Sequence, residues 1–203
     1  MMKNILIFGH SRAGKTSLAK RLKDEFQLNA VNEDHFVMAF GYAMPGLEIN
    51  GYKDYEQTAV NVTPFMVHYL CLLAEHANQK TGSKFVADMT FFCFDTGVPL
   101  MKETLREKYG LKLADEFVFI GLDNSQTSGE LFNDIRKHDT EEDWTYELSD
   151  DELRNHCDEN VGIDSEFYET WKELGFLRYD VAEGREKVFD KITEDLKMMF
   201  NLE

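Results

Sequence analysis

The residues Gly9-His10-Ser11-Arg12-Ala13-Gly14-Lys15-Thr16 fit the pattern G-x-x-x-x-G-K-[ST], and their surroundings limit the fold more than any other feature of the chain. In front of them, Asn4-Ile5-Leu6-Ile7-Phe8 is an apolar, β-branch-containing run ending at a glycine, the form of a strand buried on both faces. Behind them, Leu18, Ala19, Leu22 and Phe26 recur at helical spacing within Thr16 to Phe26, with Lys and Arg on the other side. A strand, a glycine-bounded turn and a helix in that order form a cradle for phosphate. The glycines let the backbone turn back close to oxygens, and the loop N–H groups add to the positive end of the helix. Lys15 brings a full charge that can reach β- and γ-phosphates, and the Thr16 hydroxyl can take a place on Mg²⁺. Gly9, Ser11, Ala13, Gly14, Lys15, Thr16 and Ser17 are the candidate nucleotide-binding residues. His10 and Arg12 share the loop, but a solvated loop side chain accounts for either, so neither joins the catalytic set.

Further strands are expected at Leu28 to Val31, Lys84 to Ala87, Glu116 to Ile120 and Leu177 to Val181, each followed by a polar or turn residue and a helical pattern. Five strands alternating with helices imply an α/β fold with a doubly wound parallel sheet. The longest helical stretch runs from about Tyr55 to Asn78, with Val62, Phe65, Met66, Tyr69, Leu70, Leu73 and His76 at three- and four-residue steps. Residues 41–52 hold three glycines and Pro45, and read as a candidate acceptor flap. A length of 203 residues with 43% apolar content suits one domain, 1–203, with no linker to divide it.

Charge narrows the partners. The chain has 38 acidic and 22 basic residues, a net −16, whereas nucleic-acid binding needs clustered Lys and Arg to neutralise phosphates; acidic membrane surfaces are disfavoured alike. No stretch approaches the roughly 20 apolar residues of a membrane span, and the apolar run at the N-terminus is too short for a signal peptide. Cys71, Cys93 and Cys157 are far apart and form no Cys-x-x-Cys pair, which fits reduced thiols and a cytoplasmic location. Residues 139–170 hold 13 Asp or Glu against Arg154 alone. This block should be folded: Ser149 with Glu152 makes a capping box, and Asp164 or Ser165 can cap a second helix that stops at Gly175. It reads as a solvated face, or as a border of the acceptor pocket that disfavours anionic acceptors. His138, His156 and Cys157 fit no zinc spacing.

With its strand and helix, Gly9 to Thr16 resembles the Walker A loop of the P-loop kinases of small molecules, and the adenylate-kinase-like group is the nearest match. That group includes nucleoside, nucleotide, shikimate, gluconate and chloramphenicol kinases. The likeness is strongest over residues 3–40 and extends to 84–123. Guanine-nucleotide hydrolases fit less well, because no Asn-Lys-x-Asp motif follows a later strand. The resemblance implies a three-layer α/β/α P-loop fold with a five-stranded parallel sheet and the use of Mg·ATP. Asn32-Glu33-Asp34-His35-Phe36 follows the second strand, where such a sheet faces its ligand crevice. Asp34 there is the candidate base for an acceptor hydroxyl, with Glu33 and His35 as neighbours that could share the role. Lys84 to Asp88 has the form of a Walker B strand, so Asp88 with Thr16 would hold Mg²⁺, and Met89, Thr90 and Phe91 would line the acceptor pocket. Phe91, Phe92 and Phe94 read as packing rather than base-stacking residues. Arg136 is the candidate phosphate-clamping lid residue by placement, with Lys137 and Arg154 behind it, in a lid of about 136–170. The segment Tyr179 to Glu183, before a last helix at Arg185 to Phe200, would pass near the adenine through its backbone.

The expected activity is transfer of the γ-phosphate of Mg·ATP to a hydroxyl of a small molecule, with Lys15, Asp34 and Arg136 catalytic, in a monomer or a homodimer. A nucleoside monophosphate kinase is one alternative. A non-catalytic P-loop ATP-binding regulator is another.

Overall fold

A computed structural model describes residues 1–47, 49, 54–79, 82–141, 143–161 and 170–202. Five parallel strands, β1 (Asn4–Gly9), β2 (Asn29–Asn32), β3 (Phe85–Asp88), β4 (Phe117–Asp123) and β5 (Leu177–Asp180), form one sheet in the order β2-β3-β1-β4-β5. Each expected strand is present, with ends shifted by up to three residues. Alternation along β1 divides the core in two. Leu6 and Phe8 face one side of the sheet, while Ile5 and Ile7 face the other. The first side is covered by α3 (Tyr55–Ala77) and α4 (Phe94–Thr104), and the second by α1 (Lys15–Phe26) and the last helix, α8 (Arg185–Phe200). The result is a three-layer α/β/α sandwich. Each fully buried Leu, Ile or Phe in it contributes about 1.5–3 kcal/mol relative to exposure.

Register levels the strand ends that matter. Asp88 stands opposite Ile7 on one side and Asn32 on the other, so Gly9, Asn32 and Asp88 share the C-terminal edge of the sheet. The central strand then turns straight into α1.

Two helices differ from their sequence reading. α2 (Glu33–Ala43) starts directly at the end of β2, capped by Asn32, whose side chain accepts from the His35 N–H, and carrying Glu33 and Asp34 in its first turn. Gly41 is therefore helical, and the proposed flap does not begin as a loop. Pro45–Leu47 is a single 3-10 turn tied to α3 by Asn61 Nδ2 donating to Leu47 O at 2.8 Å, while 48 and 50–52 lie outside the described residues. In α3 the core stripe is Ala59, Val62, Met66, Val67, Leu70, Cys71 and Ala74. Phe65 and Tyr69 leave that stripe to meet Phe40 and Phe36 of α2, at 5.0 and 5.4 Å between ring centroids.

α6 (Ser128–His138) and α7 (Asp150–Asn160) pack on each other around a small separate cluster of Leu131, Phe132, Ile135, Leu153 and Cys157. Both open with complete capping boxes, Thr127 with Glu130 and Ser149 with Glu152. The second cap expected at Asp164 or Ser165 lies outside the described residues. Gly175, at φ +72°, ends the helical turn at 170–173 as the sequence suggests. Between α4 and β4 lie a π-helical turn, Leu105–Tyr109, and the short α5 (Leu113–Glu116). Among the described residues no helix is long and apolar enough to cross a membrane.

Candidate active site

The phosphate-loop motif occupies the turn from β1 to α1. Gly9 is required by space and conformation: at φ +154° a Cβ would lie 2.7 Å from Leu122 O on the neighbouring strand. Gly14, the residue before α1, is left-handed at φ +91°. Ala13 is buried in the core beneath the loop, whereas Ser17 is exposed in the first turn of α1. Arg12 is left-handed without being glycine, at φ +67°.

Lys15 is buried, and its Nζ donates to Gly9 O at 2.8 Å and His10 O at 2.9 Å. Burial pulls its pKa down, against the upward pull of Asp34, Asp88 and Glu33. Those three carboxylates arrive from two strand ends. Asp88 closes β3, and its Oδ2 accepts from the Thr16 hydroxyl at 2.7 Å and from Asn32 Nδ2 at 3.0 Å. Burial raises its pKa, opposed by the Thr16 bond. Asp34 sits in the first turn of α2 with Oδ1 buried and lacking a hydrogen-bond partner. It caps nothing, because Asn32 does that. The fold thus brings the expected Lys15, Thr16, Asp34 and Asp88 to one end of the sheet.

Glu33 separates from its neighbour in role. It is wholly buried, and its Oε2 accepts from the Thr90 and Phe91 N–H groups, the latter at 2.7 Å. Burial raises its pKa to about 7 despite those two bonds. It therefore fastens α2 to the turn after β3. Tyr55 adds to that junction by donating its hydroxyl to Thr90 O and setting its ring 5.3 Å from Phe91. Phe91, Phe92 and Phe94 are core residues. His10 is also buried; burial lowers its pKa to about 4, so the loop carries a neutral imidazole, with Nδ1 at Ser11 O.

Arg136 lies in the last turn of α6, and its guanidinium donates to Asp150, to Thr145 O at 3.2 Å and to Leu148 O at 2.6 Å. Its bonds close the connection from α6 to α7. Arg12 instead reaches across from the phosphate loop to two carboxylates of that connection, Asp139 at 2.8 Å and Asp143. Arg185, at the start of α8, donates to Asp134 at 3.1 Å and to Arg12 O at 3.3 Å. Sequence reasoning left out the long-range contacts of Arg12, Arg185 and Glu33. For Glu33 the position just after a strand was the available signal; for Arg12 only the acidic run from 139 hinted at a partner, and for Arg185, paired with Asp134 ahead of that run, there was none.

No family model matches the sequence, and no curated protein matches it. Solved structures do resemble it: a candidate kinase from Chloroflexus aurantiacus (14% identity, TM-score 0.57, covering 98% of this chain and 96% of that one). A gluconokinase from Sinorhizobium meliloti 1021 is 13% identical with TM-score 0.54, covering 97% and 93% of the two chains. A shikimate kinase from Bacteroides thetaiotaomicron is 14% identical with TM-score 0.52 and full coverage of both. At these identities the likeness speaks to the fold. The chain has the fold of the P-loop kinases, a five-stranded parallel sheet with the phosphate loop leaving its central strand.

Proposed function

We propose that the protein is an ATP-dependent phosphotransferase that moves the γ-phosphate of Mg·ATP to a hydroxyl of a small molecule. One observation carries the reading: a buried lysine, a hydroxyl paired with a carboxylate, and a second carboxylate with an unpartnered buried oxygen converge where β1 enters α1. The donors suit the nucleotide and its ion. Thr16 and Asp88 offer hard oxygens, the sparse shell in which phosphates and water complete the coordination of Mg²⁺, and Mg²⁺ there would offset charge on the terminal phosphates. Gly9, Ser11, Ala13 and Gly14 supply the loop backbone, Lys15 the cation for the transferring group, and Ser17 extends the helix end.

Asp34 accepts the acceptor's hydroxyl proton as the new P–O bond forms and ADP leaves. Its unpartnered Oδ1 and its pull on Lys15 support that role; Glu33 also keeps an unpartnered oxygen, Oε1, but its side chain is wholly buried and its Oε2 is held by two backbone N–H groups. Arg136 stays the lid cation only if lid movement frees it from Asp150 and the two carbonyls it now serves.

An acceptor panel scored by ADP release tests this. Mg·ATP at 100-fold over Kd should stabilise the fold by about 2.7 kcal/mol, roughly 5–11 °C in Tm. Asp34→Asn should lower turnover with hydroxyl acceptors by about 10²–10⁴. A nucleoside monophosphate as best acceptor, with Asp34→Asn nearly as active as wild type, would install the monophosphate-kinase reading, since an oxyanion needs no base. Nucleotide binding without acceptor-dependent ADP release across the panel would point to a regulator.

A further inference from the structure

The part of the chain that surrounds Asp34 is nearly bare of positive charge. Between Lys23 and Lys84 the sequence holds two Lys or Arg, Lys53 and Lys80, both outside the described residues, and from Phe85 to Met101 it holds none. That stretch makes β2, α2, α3, β3 and most of α4, and so the walls on the Asp34 side of the sheet end. Arg12 and Arg185 at the phosphate loop, and Arg136 beyond it, are each paired with carboxylates of the chain, Asp139 and Asp143, Asp134, and Asp150 in turn. Carboxylates are in the reverse position. Asp34 Oδ1 and Glu33 Oε1 are buried without a hydrogen-bond partner, and Lys15 already has Asp34, Asp88 and Glu33 acting on it. Backbone donors are taken as well. The successive N–H groups of Thr90 and Phe91, in the turn after β3, are the kind of pair that cradles an anion, and Glu33 Oε2 fills it, 2.7 Å from the Phe91 nitrogen. Tyr55 closes over the same turn through Thr90 O and the Phe91 ring.

We propose that the acceptor is a hydroxyl compound without an anionic group, and that Glu33 sets this specificity by occupying the donors an anion would need. The inference rests on the phosphotransferase reading for the acceptor's place beside Asp34. A carboxylate or phosphate entering there would give up its water and meet carboxylates, with the negative charge of Mg·ATP added to theirs. A neutral polyol or an amino alcohol brings O–H and N–H donors instead, which suit the unpartnered oxygen of Asp34. An ammonium group would gain from the carboxylates besides. The discrimination comes from α2 and the turn after β3, so the acidic segment from α6 to α7 need take no part in it.

Matched acceptors test it: ethanolamine, ethylene glycol and glycolate; glucosamine, glucose and gluconate; thymidine and its monophosphate. Calorimetric binding to the protein saturated with Mg²⁺ and a non-hydrolysable ATP analogue reads each one. Within a set that binds, the acid should be weaker than its neutral counterpart by about 30-fold or more, and the amine no weaker. An acid that binds best, or within about threefold of its neutral counterpart, overturns the proposal. A second readout is independent of scaffold. In amide NMR spectra, acetate should leave the Thr90 and Phe91 signals of the wild type and of Glu33→Gln in place, because a side-chain oxygen fills both N–H groups, and should move them saturably in Glu33→Ala. Movement in the wild type overturns the proposal however the variants fold, as does a folded Glu33→Ala in which acetate moves neither signal. ADP release, scored separately on the same compounds, tests the transfer itself. Binding in the stated order with no ADP released would remove the kinase reading and leave the exclusion of anions standing.

Discussion

The phosphate-loop end of the sheet and the acidic segment from α6 to α7 handle charge in opposite ways. At the first, few charged groups are buried together: Lys15 is 8% exposed, Asp88 6% and Glu33 0%. At the second, many charges stay in water, as the side chain of Asp150, 71% exposed, shows. The first arrangement costs desolvation and shifts pKa values, so it persists only where the surrounding packing and bonds sustain it, as at a site built for chemistry. The second costs little and holds the segment on with ion pairs. Charge count alone would have ranked the two regions the other way round.

The largest effect should come from the buried cation. Lys15→Met should lower acceptor-dependent ADP release by about 10²–10³, the usual loss when a donor to developing charge is removed, and shrink the rise in Tm with Mg·ATP. An unchanged nucleotide-dependent Tm would break the contrast, because the buried charges would then be structural alone.

Glu33 sharpens it through pH. Its folded pKa, about 7, lies above the ordinary 4.5, so the fold favours the protonated form. The resulting stability is fully present below about pH 4.5 and is lost as pH rises through about 7, a swing of about 3 kcal/mol. Glu33→Gln cannot titrate. Denaturant unfolding of both proteins across that window should show their stability difference changing by that amount. A constant difference would mean that Glu33 is ionised throughout and acts simply as an anionic acceptor for Thr90 and Phe91.

Much of this architecture is legible in residues 4–26 alone, because a doubly buried strand, a glycine-bounded turn and an amphipathic helix each have their own local pattern. The later strands, the capping box at Ser149 and the last helix follow from local signals of the same kind. Asp88 and Asp34 could be nominated from strand ends, since a parallel sheet directs those ends to one edge. What stayed hidden depends on partners distant in sequence. Nothing local says that Glu33 rather than Asp34 would turn inward to Thr90 and Phe91, or that Phe65 and Tyr69 would leave the α3 core stripe for the aromatic rings of α2. Arg136 illustrates the same limit, for its bonds are to Thr145, Leu148 and Asp150, within its own segment.

The smallest effect concerns how the acidic segment is attached. Arg12 joins the phosphate loop to Asp139, whose side chain is 2% exposed, and to Asp143, 29% exposed. Arg12→Ala removes both pairs while keeping a Cβ at the left-handed position, so the backbone cost is unchanged. Asp139 keeps the Thr145 hydroxyl and Arg136 at 3.7 Å, so its buried carboxylate is not stranded and the loss stays at about 1–3 kcal/mol. Hydrogen exchange should therefore quicken in α6 and α7 and hardly at all in β1 and β4. Raising the salt should erode protection of the same helices less in the variant than in the wild type, because the partly exposed Asp143 pair is already gone while the pairs of Arg136 and Arg185 remain in both. Equal loosening of the central strands would show that the acidic segment is part of the core's cooperative unit, and that the ion pairs of Arg12 are not what fastens it.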